Sequence, residues 1–284
     1  MRHVIRSMAG TCAGFALALA QFAPGAHAAP LTLADKTGTS SIIVDPESQN
    51  GLFNWTVGGV NQIKQDWFWL RIGASGQEQS LDALVFDRAA IVGDTINAAY
   101  RLGDLSVVAQ FGLSSLGLGE AVESSLDVTL SFRNDGAEAL PITLFNYTDF
   151  DLDGDSDDER AESAVDERVG NVLRQFDGTV TGTSFRGFDP VNFQIAFSPD
   201  IRDSLNDAFT TTLTNAFSPF GPGDLSFAVA TNFLLGAGES LSFDFDKSVF
   251  VAAAAVPEPA TPLLLSLGLL GAAFAARRNP YRSR

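Results

Sequence analysis

Histidine and cysteine are almost missing from this chain of 284 residues. Its two histidines, His3 and His27, and its one cysteine, Cys12, all fall within the first 28 positions. Everything after them is built without an imidazole or a thiol. Ser-His-Asp and Cys-His nucleophilic mechanisms therefore have no base or no nucleophile there. Zinc sites made of histidine or thiolate, haem ligation and iron–sulfur clusters are excluded for the same reason. So are disulfides, which leaves packing as the source of stability. About 225 residues rich in Phe, Val, Leu and Ile can bury a sizeable core.

Positive charge is scarce as well. The chain has 18 basic and 34 acidic residues, and six of its arginines (Arg2, Arg6, Arg277, Arg278, Arg282 and Arg284) sit at the two ends. Setting those and Glu258 aside leaves 12 basic and 33 acidic residues, a net charge near −21 for the middle of the chain. Such a globule repels nucleic acid and anionic lipid surfaces. A solvated acidic surface is the simplest account of the charge. Neutral glycans and divalent cations are the ligands it tolerates.

Apolar runs long enough to suggest a membrane are confined to the termini. At the front, Arg2 and Arg6 form a positive region, Ala13 to Phe22 an apolar core, and Ala26-His27-Ala28 the small-residue pattern of a signal-peptidase site. Removal of residues 1–28 is expected, with Ala29 as the new first residue. Cys12 precedes the apolar core, which argues against a lipoprotein.

At the back, Pro257-Glu258-Pro259 is followed by Leu263, Leu264, Leu265, Leu267, Leu269 and Leu270, then Arg277-Arg278. The two prolines fix φ and lack an amide donor, so they hold Glu258 on an extended, accessible segment. Residues 261–276 make a helix about 24 Å long, short of the roughly 30 Å hydrocarbon core. The arginines beyond it favour a membrane-spanning reading, with residues 277–284 left in the cytoplasm.

These three parts in this order resemble the PEP-CTERM sorting domain. The resemblance covers about the last tenth of the chain. It implies a protein of a Gram-negative bacterium, exported across the inner membrane and held there briefly by the C-terminal helix. An exosortase would recognise and cleave the tail, after signal peptidase has acted at the front. The resemblance also implies a link to exopolysaccharide and the biofilm matrix. The chain would be the sorting enzyme's substrate, with Pro257, Glu258, Pro259, Arg277 and Arg278 as its recognition residues.

Between the termini the pattern reads as all-β. In Leu126–Arg133 every second side chain is apolar, the signature of a half-buried strand. Ser80–Phe86, Leu140–Phe150, Leu225–Phe233 and Leu241–Val251 read as further strands. Asn134-Asp135-Gly136, between two such runs, predicts a hairpin. Short strands at near-regular spacing suggest one β-sandwich or jelly-roll domain over 29–251, followed by a tether over 252–260. Only Asp200–Thr212 suggests a helix, with Ile201, Leu205, Ala208 and Phe209 on one face.

Two internal segments invite a functional reading. Asp149, Asp151, Asp153, Asp155 and Asp157 alternate through a run containing Gly154, in the spacing of a calcium loop. The match fails at its twelfth position, where Arg160 stands in place of a bidentate glutamate. A calcium-braced β-loop and a solvated acidic turn both fit, the second more simply. The other segment is Asp66–Arg71, where exposed Trp67 and Trp69 would stack on sugar rings. Phe68 and Leu70 make the opposite face apolar too, so a central core strand is the simpler account.

The sequence therefore describes an exported, non-catalytic, surface-directed β-sandwich, with a calcium- or carbohydrate-binding module as the alternative. A glycosidase working through paired carboxylates comes third, because no particular pair is marked.

Overall fold

The computed structural model describes residues 29–118, 121–166, 170–185, 192–215 and 221–252. The expected leader with Ala26 and Ala28, the Pro-Glu-Pro motif, the apolar helix and the arginine tail all lie outside these residues. Among the described residues, no helix is long and apolar enough to cross a membrane.

The chain runs through β1 (Leu31–Ala34), β2 (Ser40–Asp45), β3 (Gly51–Val57), β4 (Val60–Asn61), β5 (Ile63–Ile72) and β6 (Gln79–Ser80). It continues with β7 (Val85–Val92), β8 (Thr95–Leu102), β9 (Leu105–Leu118), β10 (Ala121–Asn134), β11 (Leu140–Phe150) and β12 (Arg160–Asp166). Last come β13 (Gly170–Asp177), β14 (Val180–Phe185), β15 (Asn192–Phe197), the helix α1 (Asp200–Asn206), β16 (Leu225–Leu235), β17 (Ser240–Asp244) and β18 (Lys247–Val251).

These strands form two nine-stranded sheets, and the molecule is an all-β sandwich. The first sheet has the order β1-β2-β3-β5-β11-β16-β15, with β4 on β3 and β6 on β5. The second has the order β12-β13-β14-β18-β10-β9-β8-β7, with β17 on β10. Pairing is antiparallel except for a brief parallel contact of β3 with β5.

The alternation in β10 decides its orientation. Leu126, Val128, Leu130 and Phe132 are buried, while Asp127 and Arg133 point to solvent. In the opposite sheet β5 occupies the middle, and Ile63 and every residue from Gln65 to Arg71 are buried. That matches the expectation of a central strand from apolar residues on both faces. Rings bridge the two layers. Trp67 lies parallel to Phe111 with centroids 6.4 Å apart, and Phe132 meets Phe233 at 5.3 Å. Trp55 donates its indole N–H to Ser124 Oγ at 2.9 Å. Gly51, at φ 56°, has no room for a side chain, because a Cβ there would stand 2.1 Å from the Trp67 ring.

Four expectations are corrected. The turn at Asn134-Asp135-Gly136 does not make a hairpin, because β10 lies in the second sheet and β11 in the first. Asn134 is buried there, and its amide donates to the carbonyls of Glu138, Leu235 and Gly236. A turn signal dictates reversal of the chain, but alternation suits a strand facing another layer as well as one paired beside it. Ser80–Phe86 is not a single strand: β6 passes into a 3-10 turn at Leu81–Ala83 before β7 begins. Leu241–Val251 splits into β17 and β18, both on β10, where the Phe245 amide bonds to the Val128 carbonyl and its ring turns inward. The helix stops at Asn206. Ile201 and Leu205 are buried as expected, but Phe209 is exposed, and the Asp207 carboxylate accepts the Phe209 amide instead.

One polar group crosses the dry interior. Lys247 of β18 and Asp66 of β5 are both 0 % exposed, with Nζ 3.2 Å from Asp66 Oδ1. Lys247 also donates to Asn146 Oδ1 at 3.0 Å. Asn146 and Thr148 donate to Asp66 Oδ1 at 2.8 and 2.9 Å. Removing one partner of such a pair strands the other as a buried charge, at about 3–5 kcal/mol. Lys247→Met should therefore lower the stability of the globule by about that amount in urea denaturation. The double variant Lys247→Met with Asp66→Leu should recover a good part of the loss.

Candidate functional site

β5 and β11 lie side by side in register, and each end of their ladder carries polar chemistry. One end is acidic. Asp149 closes β11 opposite Gln65, at an irregularity in the pairing before Phe150. Asp149 is buried; its Oδ2 accepts from Ser198 Oγ at 2.8 Å and Tyr147 Oη at 3.0 Å. Its Oδ1 has no partner, nor do the buried Oδ1 atoms of Asp151 and Asp224. Burial, with help from the nearby Asp224 charge, pushes the Asp149 carboxyl up to about 6; bonds from Ser198 and Tyr147 and the Lys64 ammonium work the other way. Lys64 itself pairs with Asp224 at 3.1 Å.

Glu159 lies deeper. Its carboxyl accepts the amides of Leu152 at 2.9 Å and Leu225 at 3.3 Å, and the Gln175 side chain. It joins the acidic loop to β13 and to the start of β16. Burial outweighs these three donors and raises its pKa to about 8.

The five aspartates of the calcium-like spacing do not gather. Asp149 is buried and Asp151 half-buried, whereas Asp153, Asp155 and Asp157 are exposed. Among the described residues, no group of three or more acidic side chains is placed to hold a metal ion. Alternation in a loop that leaves a strand throws successive carboxylates to different sides, and no glutamate closes the ring.

Trp67 and Trp69 are likewise not a sugar platform. Both are 0 % exposed. Trp67 packs on Phe111 and Tyr100 and donates to Asp82 Oδ1 at 3.1 Å. Trp69 meets the Tyr147 ring edge-on and donates to Asn206 Oδ1 at 3.0 Å. The opposite sheet covers Trp67, and the last residue of α1 caps the Trp69 indole N–H, so neither ring offers a face to a ligand.

The other end of the ladder carries a groove of about 390 Å³. Register places Arg71 of β5, Thr143 of β11 and Asn232 of β16 in one row. Beside it, Pro141 pairs with Leu234, and Gly73 bonds to the Pro141 carbonyl. Arg71 is clamped. It is ion-paired to buried Glu78, donates to the Thr211 carbonyl and to Thr143 Oγ1 at 3.2 Å each, and lies 5.5 Å over the Phe145 ring. Thr143 in turn donates to Asn232 Oδ1 at 2.6 Å. Sequence reasoning passed over this site because its members are scattered along the chain. The available clue was an arginine directly after the apolar run Trp67–Leu70.

The fold is thus a two-sheet β-sandwich with one acidic and one polar–apolar strand end. What sets this chain apart lies at its C-terminus, where residues 255–279 match the family described as PEP-CTERM protein-sorting motif. The chain thus carries the mark of an exported protein that an exosortase processes. No curated protein sequence matches it. Among solved structures it is similar to a bacterial glucoamylase crystallised with acarbose, at a TM-score of 0.55 and 10% identity. That overlap covers 84% of this chain and 34% of the glucoamylase, so the chain spans about a third of that protein's length. A putative aldose 1-epimerase from Escherichia coli K12 overlaps at a TM-score of 0.46 and 13% identity, covering 80% of this chain and 99% of that one. A GalM/aldose epimerase homologue from C. elegans overlaps at 0.46 and 8% identity, covering 78% and 98%. The glucoamylase likeness shows a shared fold, and the two epimerase overlaps are looser still.

Two outcomes follow from the acidic end. Glu159 holds its proton more tightly folded than unfolded, where its ordinary value is 4.5. Between about pH 4.5 and pH 8 the folded state therefore binds more protons, and stability falls as pH rises through that window. Glu159→Gln should flatten this decline, by at least ~1 kcal/mol between pH 5 and pH 8 in denaturant titrations. Millimolar calcium should leave the thermal midpoint unmoved. A calcium-dependent rise abolished by Asp151→Ala with Asp153→Ala would instead assign the loop a cation.

Proposed function

We propose that the protein is an exported, surface-directed and non-catalytic component of the cell envelope or its exopolysaccharide matrix, delivered by an exosortase-type sorting system. The observation that carries this reading is the match of residues 255–279 to the sorting motif. In this reading Pro257, Glu258 and Pro259 are the recognition residues, the leucine-rich segment is the anchor, and Arg277 and Arg278 stop transfer. The signal-peptide pattern ending at Ala28 supplies the export step.

The composition of the globule supports a binding or structural role. No imidazole or thiol is present after residue 28. Paired-carboxylate hydrolysis needs two acids facing one substrate. The groove has neither Asp nor Glu in its lining, and Glu159 is buried among main-chain donors. The acidic charge keeps the globule soluble and away from anionic surfaces.

Fractionation of cells tests the sorting step. Glu258→Ala, or removal of residues 261–284, should shift the protein between membrane, surface and medium fractions. Identical distribution of both variants and the native chain would overturn the reading.

A further inference from the structure

Lys247, Asn146 and Asp66 meet where β18 of one sheet faces β11 and β5 of the other, and all three are buried. Lys247 is one of three lysines in the chain; the other two, Lys36 and Lys64, lie towards solvent. Its Nζ is 3.0 Å from Asn146 Oδ1 and 3.2 Å from Asp66 Oδ1. The Asn146 carboxamide is also held by its nitrogen, which donates to Asp66 Oδ1 at 2.8 Å and to the Trp67 carbonyl at 3.2 Å. An amine, a carboxamide and a carboxyl group are therefore bonded to one another pairwise. The second carboxyl oxygen, Asp66 Oδ2, is buried without a partner. Phe68, opposite Asn146 in the ladder, packs its ring 5.1 Å from that of Phe245, two residues before Lys247, so aromatic carbon adjoins the group.

These are the reactants and the catalyst of an amide exchange. A lysine amine is a nucleophile once it has lost a proton. Where no water solvates charge, a proton passed from Nζ to Asp66 leaves two neutral groups in place of an ion pair. The amine then stands against a carboxamide that cannot turn away, the proximity that replaces a bimolecular encounter. Asp66 is already bonded to Nδ2, the atom that must leave, so a proton taken from the amine has a path to the leaving group. Thr148, which donates to Asp66 Oδ1 at 2.9 Å, has its Oγ1 3.5 Å from Asn146 Oδ1 and can serve the charge that builds on that oxygen.

We propose that Lys247 and Asn146 join in an intramolecular isopeptide bond, with Asp66 as the proton-transferring catalytic residue. The Nζ–Cγ bond forms and the Cγ–Nδ2 bond breaks. The lysine ammonium gives up two protons: one passes through Asp66 to Nδ2, which departs as ammonia, and the other stays on Asp66. The exchange is redox-neutral. The bond ties the two sheets covalently between positions 101 residues apart, in a chain whose single cysteine rules out an internal disulfide. The distances also allow a Lys247–Asp66 amide, but that bond would consume the carboxyl group that moves the protons. The inference is independent of the sorting motif. The stability changes expected of Lys247→Met and its double variant refer to the unlinked chain; a linked chain loses the cross-link as well in either.

Mass spectrometry of the full-length chain, unfolded in acid, tests the bond. A mass about 17 Da below that of the sequence, one ammonia, is expected. Trypsin should yield a branched peptide in which residues 134–160, which contain Asn146, are attached at an uncut Lys247. The full sequence mass, or a lost ammonia with Lys247 cut normally, overturns the proposal. A branch at Asp66 with loss of water overturns the choice of Asn146. Asp66→Asn keeps the size of the side chain and removes the acid, and it should leave the chain at its full mass. A link that forms as completely in that variant overturns the role of Asp66. The peptide map of the native chain decides the bond itself whether or not the variant folds.

Discussion

Apolar contact between two β-sheets is the constraint on which the rest of this structure depends. With Cys12 as its one cysteine, the chain has no internal disulfide to limit its unfolded state. Cohesion comes from rings and branched side chains that meet across the layers, such as Trp67 on Phe111 and Phe132 on Phe233. Area burial of this kind is large but non-directional. It holds the sheets together without saying how they are aligned. The Lys247–Asp66 pair, with Asn146 and Thr148 around it, adds direction, because its hydrogen bonds join β18 to β5 and β11 at fixed positions.

Further polar chemistry gathers towards the strand ends. Along the β5–β11 ladder, Gln65 faces Asp149 at one end and Arg71 faces Thr143 at the other. At the first, three aspartate oxygens are buried without partners, and Glu159 keeps its proton to about pH 8. At the second, a guanidinium is clamped by Glu78, Thr143 and a main-chain carbonyl beside an open groove. At the acidic end Glu159 is tied to the Leu152 and Leu225 amides, whereas the arginine end borders open space. Burial is the largest cause of the raised carboxyl pKa values at the acidic end.

Much of the layout was legible from spacing. The period-two run of Leu126–Arg133 is buried on one face as read, and the double-sided apolar run around Trp67 is a central strand. β3 and β12 left weaker traces, because Gly51, Asn54 and Thr56 interrupt one and charged residues the other. The turn at Asn134 was legible as a turn but not as a passage between layers. The five alternating aspartates were legible as a spacing but not as a dispersal. Both failures have one cause: local pattern reports which way a side chain points along its own strand and is silent about what stands opposite.

Chemistry that needs a particular residue type was settled by composition alone, since a chain without imidazole or thiol beyond residue 28 cannot acquire either by folding there. The destination was equally local, because Pro-Glu-Pro, a leucine-rich stretch and two arginines are read as contiguous chain. Sheet order, the exile of Trp67 and Trp69 from the surface and the meeting of Arg71 with Thr143 and Asn232 came from long-range pairing. Those contacts join positions 72 and 89 residues apart, and they form only where burying the core makes one register more favourable than the alternatives.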